Sequence, residues 1–500
     1  MFHKVTGKYL RLVNKLRLLA GYEALVGTEL RKYFIKLTMY SLILASLTFF
    51  VTYFILKITS LKIVLTTPLL MSLIPYTASL LTYYFRVMSR RKSVETELKY
   101  YVISEGISVS RYTELINDLD DLVKYKSIFK NLSREASRLK KLKKLLPTFD
   151  AVKTYVKFIN SNFIRNLLLD YLFSLSLGTA FIWMQEKSKE FLYDIKVMNK
   201  AVLRLRATIS IVVAIVLGYL PILSVMVTIV TNNQEFMFNT LLTSLLILPL
   251  SFLLIPKPPL HQHIDLNRKG TIAVLAILTY SITFVVYIIF KDLKLSLLTF
   301  SIIAILLGIR GLMNYISALM ELHDVPRILS TMCEAPLTLV NPLKLLNNAL
   351  SRSRSKTLRN IRVSLGHDVH EVMIKGVKLW ITKFLLYTIT KAIMKGSLDR
   401  ERLLKLREVI TEFISDFKYS LVVNIFILVL ALSLPFMFST VLMIVNTYVK
   451  IMDILIYYAL AITLTYSIYA SYVMFNDPLN TLIPGLTSLL FVILNAGCLR

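Results

Sequence analysis

The 500 residues carry 59 Lys and Arg against 30 Asp and Glu, a net charge of +29, with 56% hydrophobic residues and a mean hydropathy of +0.63. That hydropathy excludes a soluble globular domain and selects an all-α polytopic membrane protein, while the charge excess calls for an acidic surface as neighbour. The basic residues are spread over several membrane-tethered blocks without a zinc, RNP or helix-turn-helix signature, so nucleic acid is not an expected partner.

Residues 1–36 form a basic cytosolic segment with eight Lys and Arg. No apolar core followed by a small-residue cleavage site is present in it, so no cleavable signal peptide is expected, and the first span itself acts as the targeting signal. A membrane crossing needs about 20 apolar residues. Segments that meet this are 37–56, 63–85, 207–230, 237–256, 271–290, 295–319, 420–448, 454–475 and 479–498, nine in all. They divide the chain into spans 1 and 2 (37–85), a first charged block (86–206), spans 3 and 4 (207–256), a short loop (257–270), spans 5 and 6 (271–319), a second charged block (320–419) and spans 7 to 9 (420–498). With the N-terminus in the cytosol, 53 of the 59 Lys and Arg fall on the inner side, Arg310 included. The positive-inside rule chooses that orientation, in the cytoplasmic membrane, and leaves the C-terminus outside. Cys333 and Cys498 then lie on opposite sides, and no disulfide or paired-cysteine metal site can form.

The layout of two spans, a charged block and two spans occurs twice, and the first and fifth spans start 234 residues apart in the same direction. A parallel internal duplication with a ninth span appended is the simplest account. Both blocks read as helical bundles. In the first, Ile128, Phe129, Leu132, Ala136, Leu139 and Leu142 recur at helical spacing, and Lys130, Arg134, Arg138 and Lys141 make a basic stripe extended by Lys140, Lys143 and Lys144. Thr148, just after Pro147, and Asn162 are expected helix starts. In the second block helices are expected around 342–350, 365–395 and 399–418, with a partly disordered Ser/Arg-rich loop bearing Arg352, Arg354, Lys356, Arg359 and Arg362.

Several residues resemble a known family. Glu97-Leu98, directly after a span and a basic cluster, resembles the opening of the type II secretion system F domain. Glu135 within Arg134-Glu135-Ala136, and the run from Tyr171 through Gly178, Phe181 and Trp183 to Lys187, resemble that domain's later helices. The sequence resemblance covers roughly residues 86–230, and the layout extends it to the whole chain in the manner of archaeal platform proteins of pili and archaella. It implies a non-enzymatic role beneath a growing filament. Expected partners are a secretion-type hexameric ATPase, type IV pilin-like subunits and membrane lipids. A single chain would present two bundles and a homodimer four. The filament could be an adhesive pilus, an archaellum or a DNA-uptake fibre. The two basic groups, Lys130 to Lys144 and Arg352 to Arg359, are candidate docking sites for an acidic motor; a solvated helix face or lipid headgroup contact would explain the same charge.

Other chemistry finds little footing. His367, His370 and Glu371 share a helix face, and His261, His263 and Asp265 alternate in the inner loop, but neither group supplies the closed tetrahedral set that structural zinc requires. No metal or cofactor is expected. Phosphate-cradling Gly motifs and a nucleophile elbow are absent from the sequence. Pro68, Pro75, Pro221, Pro249, Pro435 and Pro484 fall in or near spans and read as static kinks. The rival class is a transporter or lipid flippase for a neutral substrate, because coupled transporters place ionisable groups near the midplane and these spans keep theirs toward the ends.

Overall fold

The computed structural model describes residues 2–19, 28–50, 61–108, 115–159, 161–231, 234–264, 269–334, 341–361, 376–446, 452–477 and 480–495. These residues are helical almost throughout. They form no strand, only an isolated bridge between Ile264 and Leu379. In chain order the helices are α1 (Phe2–Leu19), α2 (Thr28–Phe50), α3 (Leu61–Ser108), α4 (Leu115–Asp121), α5 (Leu132–Lys143), α6 (Thr148–Phe158), α7 (Asn162–Ser176), α8 (Ala180–Thr231) and α9 (Gln234–Leu254). There follow α10 (Lys269–Phe290), α11 (Leu293–Glu334), α12 (Pro342–Ser351), α13 (Lys356–Arg359), α14 (Trp380–Met394), α15 (Arg400–Asn446), α16 (Met452–Phe475) and α17 (Leu482–Leu494).

Among the described residues four helices are long and apolar enough to cross a membrane, over Ala180–Thr228, Leu293–Glu334, Arg400–Met443 and Leu455–Phe475. They contain the third, sixth, seventh and eighth of the apolar segments. Three of these helices do not stop where hydropathy stops. Helix α8 has 52 residues, α11 has 42 and α15 has 47, so each apolar stretch continues into a charged block as one unbroken helix. Backbone hydrogen bonding is indifferent to side-chain polarity, so the apolar limit marks a change of surroundings and not a helix end. The last apolar segment differs from expectation: α17 has 13 residues, about 20 Å, short of the roughly 30 Å of a hydrocarbon core.

The chain divides into two compact units, Met1–Ile103 with Arg111–Ser188, and Ser104–Ser110 with Lys189–Arg500. In the first, α1 and α2 are tied to α3 by tyrosine hydroxyls. Tyr9 and Tyr33 each meet Ser79 Oγ at 2.9 Å, and Ser41 donates to the Ser72 carbonyl at 2.7 Å. The later half of α3 packs with α4 to α7. Leu98, Tyr101, Phe129, Leu132, Leu139 and Leu168 are buried there, and the Tyr101 and Phe129 rings meet edge to face at 5.9 Å. Helix α6 starts at Thr148 and α7 at Asn162, as the spacing predicts; the Ser161 hydroxyl caps α7 by accepting the Ile164 N–H at 3.2 Å.

The core of the second unit joins α8, α15, α16 and α17 through Leu217, Leu434, Phe438, Tyr466 and Phe491. Small residues let backbones meet, as membrane helices require. A Cβ on Gly308 of α11 would stand 2.6 Å from Leu482 of α17, and the Ser301 and Ser488 hydroxyls bond at 2.8 Å across that contact. Helix α14 is buried on every side from Trp380 to Thr390, Lys383 and three threonines included. The expected helix over 365–395 is described only from Trp380 onward, and 376–379 is not helical.

Candidate functional site: a basic helix held by buried carboxylates

Helix α5 carries most of the candidate docking residues. Its sequence sorts by face: Leu132, Ser133, Ala136 and Leu139 are buried, while Arg134, Arg138, Lys140 and Lys141 are exposed and Lys143 is half-buried. Lys144 caps the C-terminal end and is exposed; basic residues in that last turn complement the helix dipole. Lys130 is exposed but precedes the helix, so the stripe read as continuous from Lys130 begins in the turn before it. Beyond the helix Leu145 (81% exposed), Leu146 and Phe149 add an exposed apolar edge to the basic one.

The start of α5 has no cap from its own Asn131 side chain. The cap comes from Glu97, 4% exposed on α3. Glu97 Oε2 accepts the N–H of Leu132 at 2.7 Å and of Asn131 at 2.8 Å, and Oε1 accepts Asn131 Nδ2 at 2.9 Å. Burial pushes the carboxyl up to about 7 against the pull of those three donors. Leu98, beside it, is buried in the core. Glu135 is the second anchor: it accepts from Arg90 Nη2 at 2.6 Å, from the Tyr155 hydroxyl at 3.0 Å and from Arg138 Nη1 at 3.2 Å. Burial, then the Glu135 charge, raises the Tyr155 phenol well above its ordinary value, so it stays a donor to Glu135.

The remaining motif residues are structural in placement. Gly178 ends the α7 turn at φ +70°, where a side chain would be strained, and its N–H returns to the Leu175 carbonyl at 3.1 Å. Lys187 is half-buried on α8.

In the second unit Arg352, Arg354, Lys356 and Arg359 are all exposed. Their loop is held in place, contrary to the expected partial disorder. Asp324 Oδ2 accepts the Ser355 N–H at 2.8 Å, Ser353 and Ser355 are buried, and Arg359 donates to the Ser353 and Arg354 carbonyls. Arg362 lies outside the described residues.

A residue that sequence reasoning passed over repeats the part played by Glu97. Glu321 of α11, fully buried, accepts the N–H of Lys378 at 3.0 Å and of Leu379 at 2.9 Å, immediately before α14. It too is followed by a buried leucine, Leu322. The Glu-Leu pair alone is a weak signal, since Glu29-Leu30 and Glu114-Leu115 share it; Glu321-Leu322 stands 224 residues after Glu97-Leu98.

Among the described residues no group of three His, Cys, Asp or Glu could hold a metal ion. His367, His370, Glu371 and Asp265 lie outside them. His261 is a core residue: it is fully buried, stacked on Phe413 at 4.8 Å, and pushed down to about 3 by burial, whereas His263 is exposed. Its Nδ1 meets Asn199 Nδ2 at 3.2 Å and its Nε2 lies 3.7 Å from Asp416, whose carboxyl burial raises to about 6. Cys333 is buried as a free thiol, and Cys498 lies outside the described residues.

Comparison with protein-family models, with curated proteins and with solved structures finds no match to this chain.

Proposed function

We propose that this chain is a membrane platform of a type IV pilus-like filament machine, coupling a cytosolic secretion-type ATPase to the movement of pilin-like subunits out of the bilayer. The observation that carries the reading is α5: a helix whose exposed face is basic and apolar together, fixed at both the Glu97 cap and the Glu135 cluster. A rigid, positively charged surface that keeps its apolar edge uncovered suits docking of an acidic partner, for which electrostatic complementarity sets orientation and rate. Exposed Arg352, Arg354, Lys356 and Arg359, held by Asp324, offer a second surface of the same kind.

Glu97-Leu98 and Glu321-Leu322 support the parallel duplication within this reading. Each carboxylate lies on a helix that continues an apolar segment, and each caps the start of a later helix. Multiple membrane spans, with the charged blocks in the cytosol, complete the proposal, and no reaction is assigned to the chain itself.

Deletion of the gene tests this. Surface filaments seen by electron microscopy should disappear while pilin-like subunits accumulate in the membrane fraction. Normal filaments, together with loss of uptake or of lipid asymmetry, would instead favour a transporter or flippase.

A further inference from the structure

Where α3, α5, α6 and α7 meet, the first unit holds a cavity of about 440 Å³, within the range of about 300–1,000 Å³ that small-molecule sites occupy. Its lining is split in chemistry. Arg90, Arg91, Arg138 and Lys141 supply one part, and Val87, Leu142, Phe158 and Ile159 the other. Glu135 is the acid in the lining, and Glu95 takes up part of the Arg91 charge at 3.0 Å, leaving four cations to two carboxylates.

Arg90 makes the site more than a surface patch. It is 8% exposed, its Nη2 is bound to Glu135 at 2.6 Å, and its Nη1 has no hydrogen-bond partner in the structure. A buried guanidinium N–H without an acceptor is costly and calls for an anionic oxygen. The place along the chain narrows the class. Val87 and Arg90 follow the apolar segment 63–85 on the same unbroken α3, which puts Arg90 about 8 Å beyond its end, near the depth of a headgroup layer.

We propose that this cavity binds a phosphate ester that carries an apolar chain, the phosphate against Arg90, Arg138 and Lys141 and the chain along Val87, Leu142, Phe158 and Ile159. Guanidinium forks match phosphate oxygens in two-point contacts, and the apolar wall gives the chain a surface that free phosphate cannot use. An anionic phospholipid meets both halves of the site. Arg138 and Lys141, otherwise part of the candidate motor-docking stripe, thereby serve a ligand between helices.

The test titrates the full chain in mild detergent with four probes: dihexanoyl phosphatidylglycerol, dihexanoyl phosphatidylcholine, glycerol phosphate and inorganic phosphate. Phosphatidylglycerol should bind about tenfold or more tighter than the other three. The exposed pair Arg138→Gln with Lys141→Gln should weaken it by about tenfold or more, whereas Lys130→Gln with Arg134→Gln, the same charge change off the cavity, should leave it within about threefold. Val87→Phe should weaken phosphatidylglycerol and leave inorganic phosphate unchanged. Trp183 fluorescence checks that each variant is folded. Equal loss from the two charge pairs, or equal binding of the two lipids, would overturn the site. Phosphate and glycerol phosphate binding as tightly as the lipid would overturn the chain-bearing ligand and leave free phosphate as the occupant.

Discussion

Glu97 Oε2 lies 2.7 Å from the backbone nitrogen of Leu132 and completes, from 35 residues upstream, the start of the helix that carries the basic face. Two further donors, both from Asn131, converge on the same carboxylate. The pair joins a buried acid on α3 to the geometry of the proposed docking surface, so the first expectations concern it.

Removing that cap should loosen α5. Glu97→Ala strands three donors, the buried Leu132 N–H and two half-buried ones of Asn131, and is expected to destabilise the first unit by about 2 kcal/mol. Each unit holds one tryptophan, Trp183 and Trp380. Thermal unfolding of a Trp380→Phe background, followed by Trp183 emission, reports the first unit alone. No change in its midpoint would show that Asn131 and water can cap the helix unaided.

The same carboxyl sets a pH dependence. Its folded pKa, about 7, stands above the ordinary 4.5. Folding therefore takes up a proton between those values, and this contribution is full below pH 4.5 and lost as pH rises toward 7. Glu97→Gln keeps an acceptor for the Leu132 N–H and cannot ionise. It should flatten the decline of the Trp183 midpoint between pH 5 and 7.5 and leave the variant more stable than wild type at pH 8. A parallel decline in both proteins would assign the dependence to other groups.

The buried triad in the second unit has the opposite sign. Lys395 Nζ lies 2.9 Å from Glu105 Oε2 and Lys391 bonds Oε1, with Glu105 buried and both lysines half-buried. Burial alone would raise the Glu105 carboxyl, but the two ammonium groups outweigh it and hold it below 4.5. Its stabilisation is present above pH 4.5 and lost as pH falls below that. Glu105→Gln removes the carboxylate that the two half-buried ammonium groups share, at a cost of about 3 kcal/mol. Adding Lys391→Met and Lys395→Met should recover most of it, read by Trp380 emission in a Trp183→Phe background. A triple variant no better than Glu105→Gln would argue against the charge account.

The two glycines on α11 should differ. A Cβ at Gly308 meets Leu482 backbone at 2.6 Å, whereas one at Gly311 meets only the Asn480 amide nitrogen at 2.5 Å. Backbone cannot yield without parting α11 from α17, while the Asn480 amide can shift at the cost of its 3.0 Å bond from the Leu482 N–H. Gly308→Ala is expected to cost about 1–3 kcal/mol and Gly311→Ala clearly less, measured as melting midpoints in detergent. The reverse order would mean that α17 slides freely.

What could be read in the sequence follows from the range of the interactions involved. The starts of α6 and α7, the Asn341-capped start of α12 and the two faces of α5 rest on residues within a turn or two of each other, and local spacing shows them. The Glu97 cap joins residues 34 and 35 apart, and Glu321 reaches Lys378 and Leu379 across 57 and 58. No window of periodicity spans such distances. The cavity beside Arg90 was hidden for the same reason, since its lining comes from four helices. Hydropathy placed the apolar stretches of α8, α11 and α15 but not their helix ends, because it reports the surroundings of side chains and not backbone hydrogen bonds.

The most direct measurement is affinity capture of the tagged chain in mild detergent, comparing wild type with Lys140→Glu, Lys141→Glu, Lys143→Glu and Lys144→Glu combined, and quantifying the co-purifying ATPase. These four side chains lie at or beyond the end of α5, away from its buried core, so the variant should insert and fold as wild type does. The platform account predicts that wild type captures a hexameric secretion-type ATPase and that charge reversal reduces the capture about tenfold or more. Equal capture by both chains, or no ATPase with wild type, would contradict it.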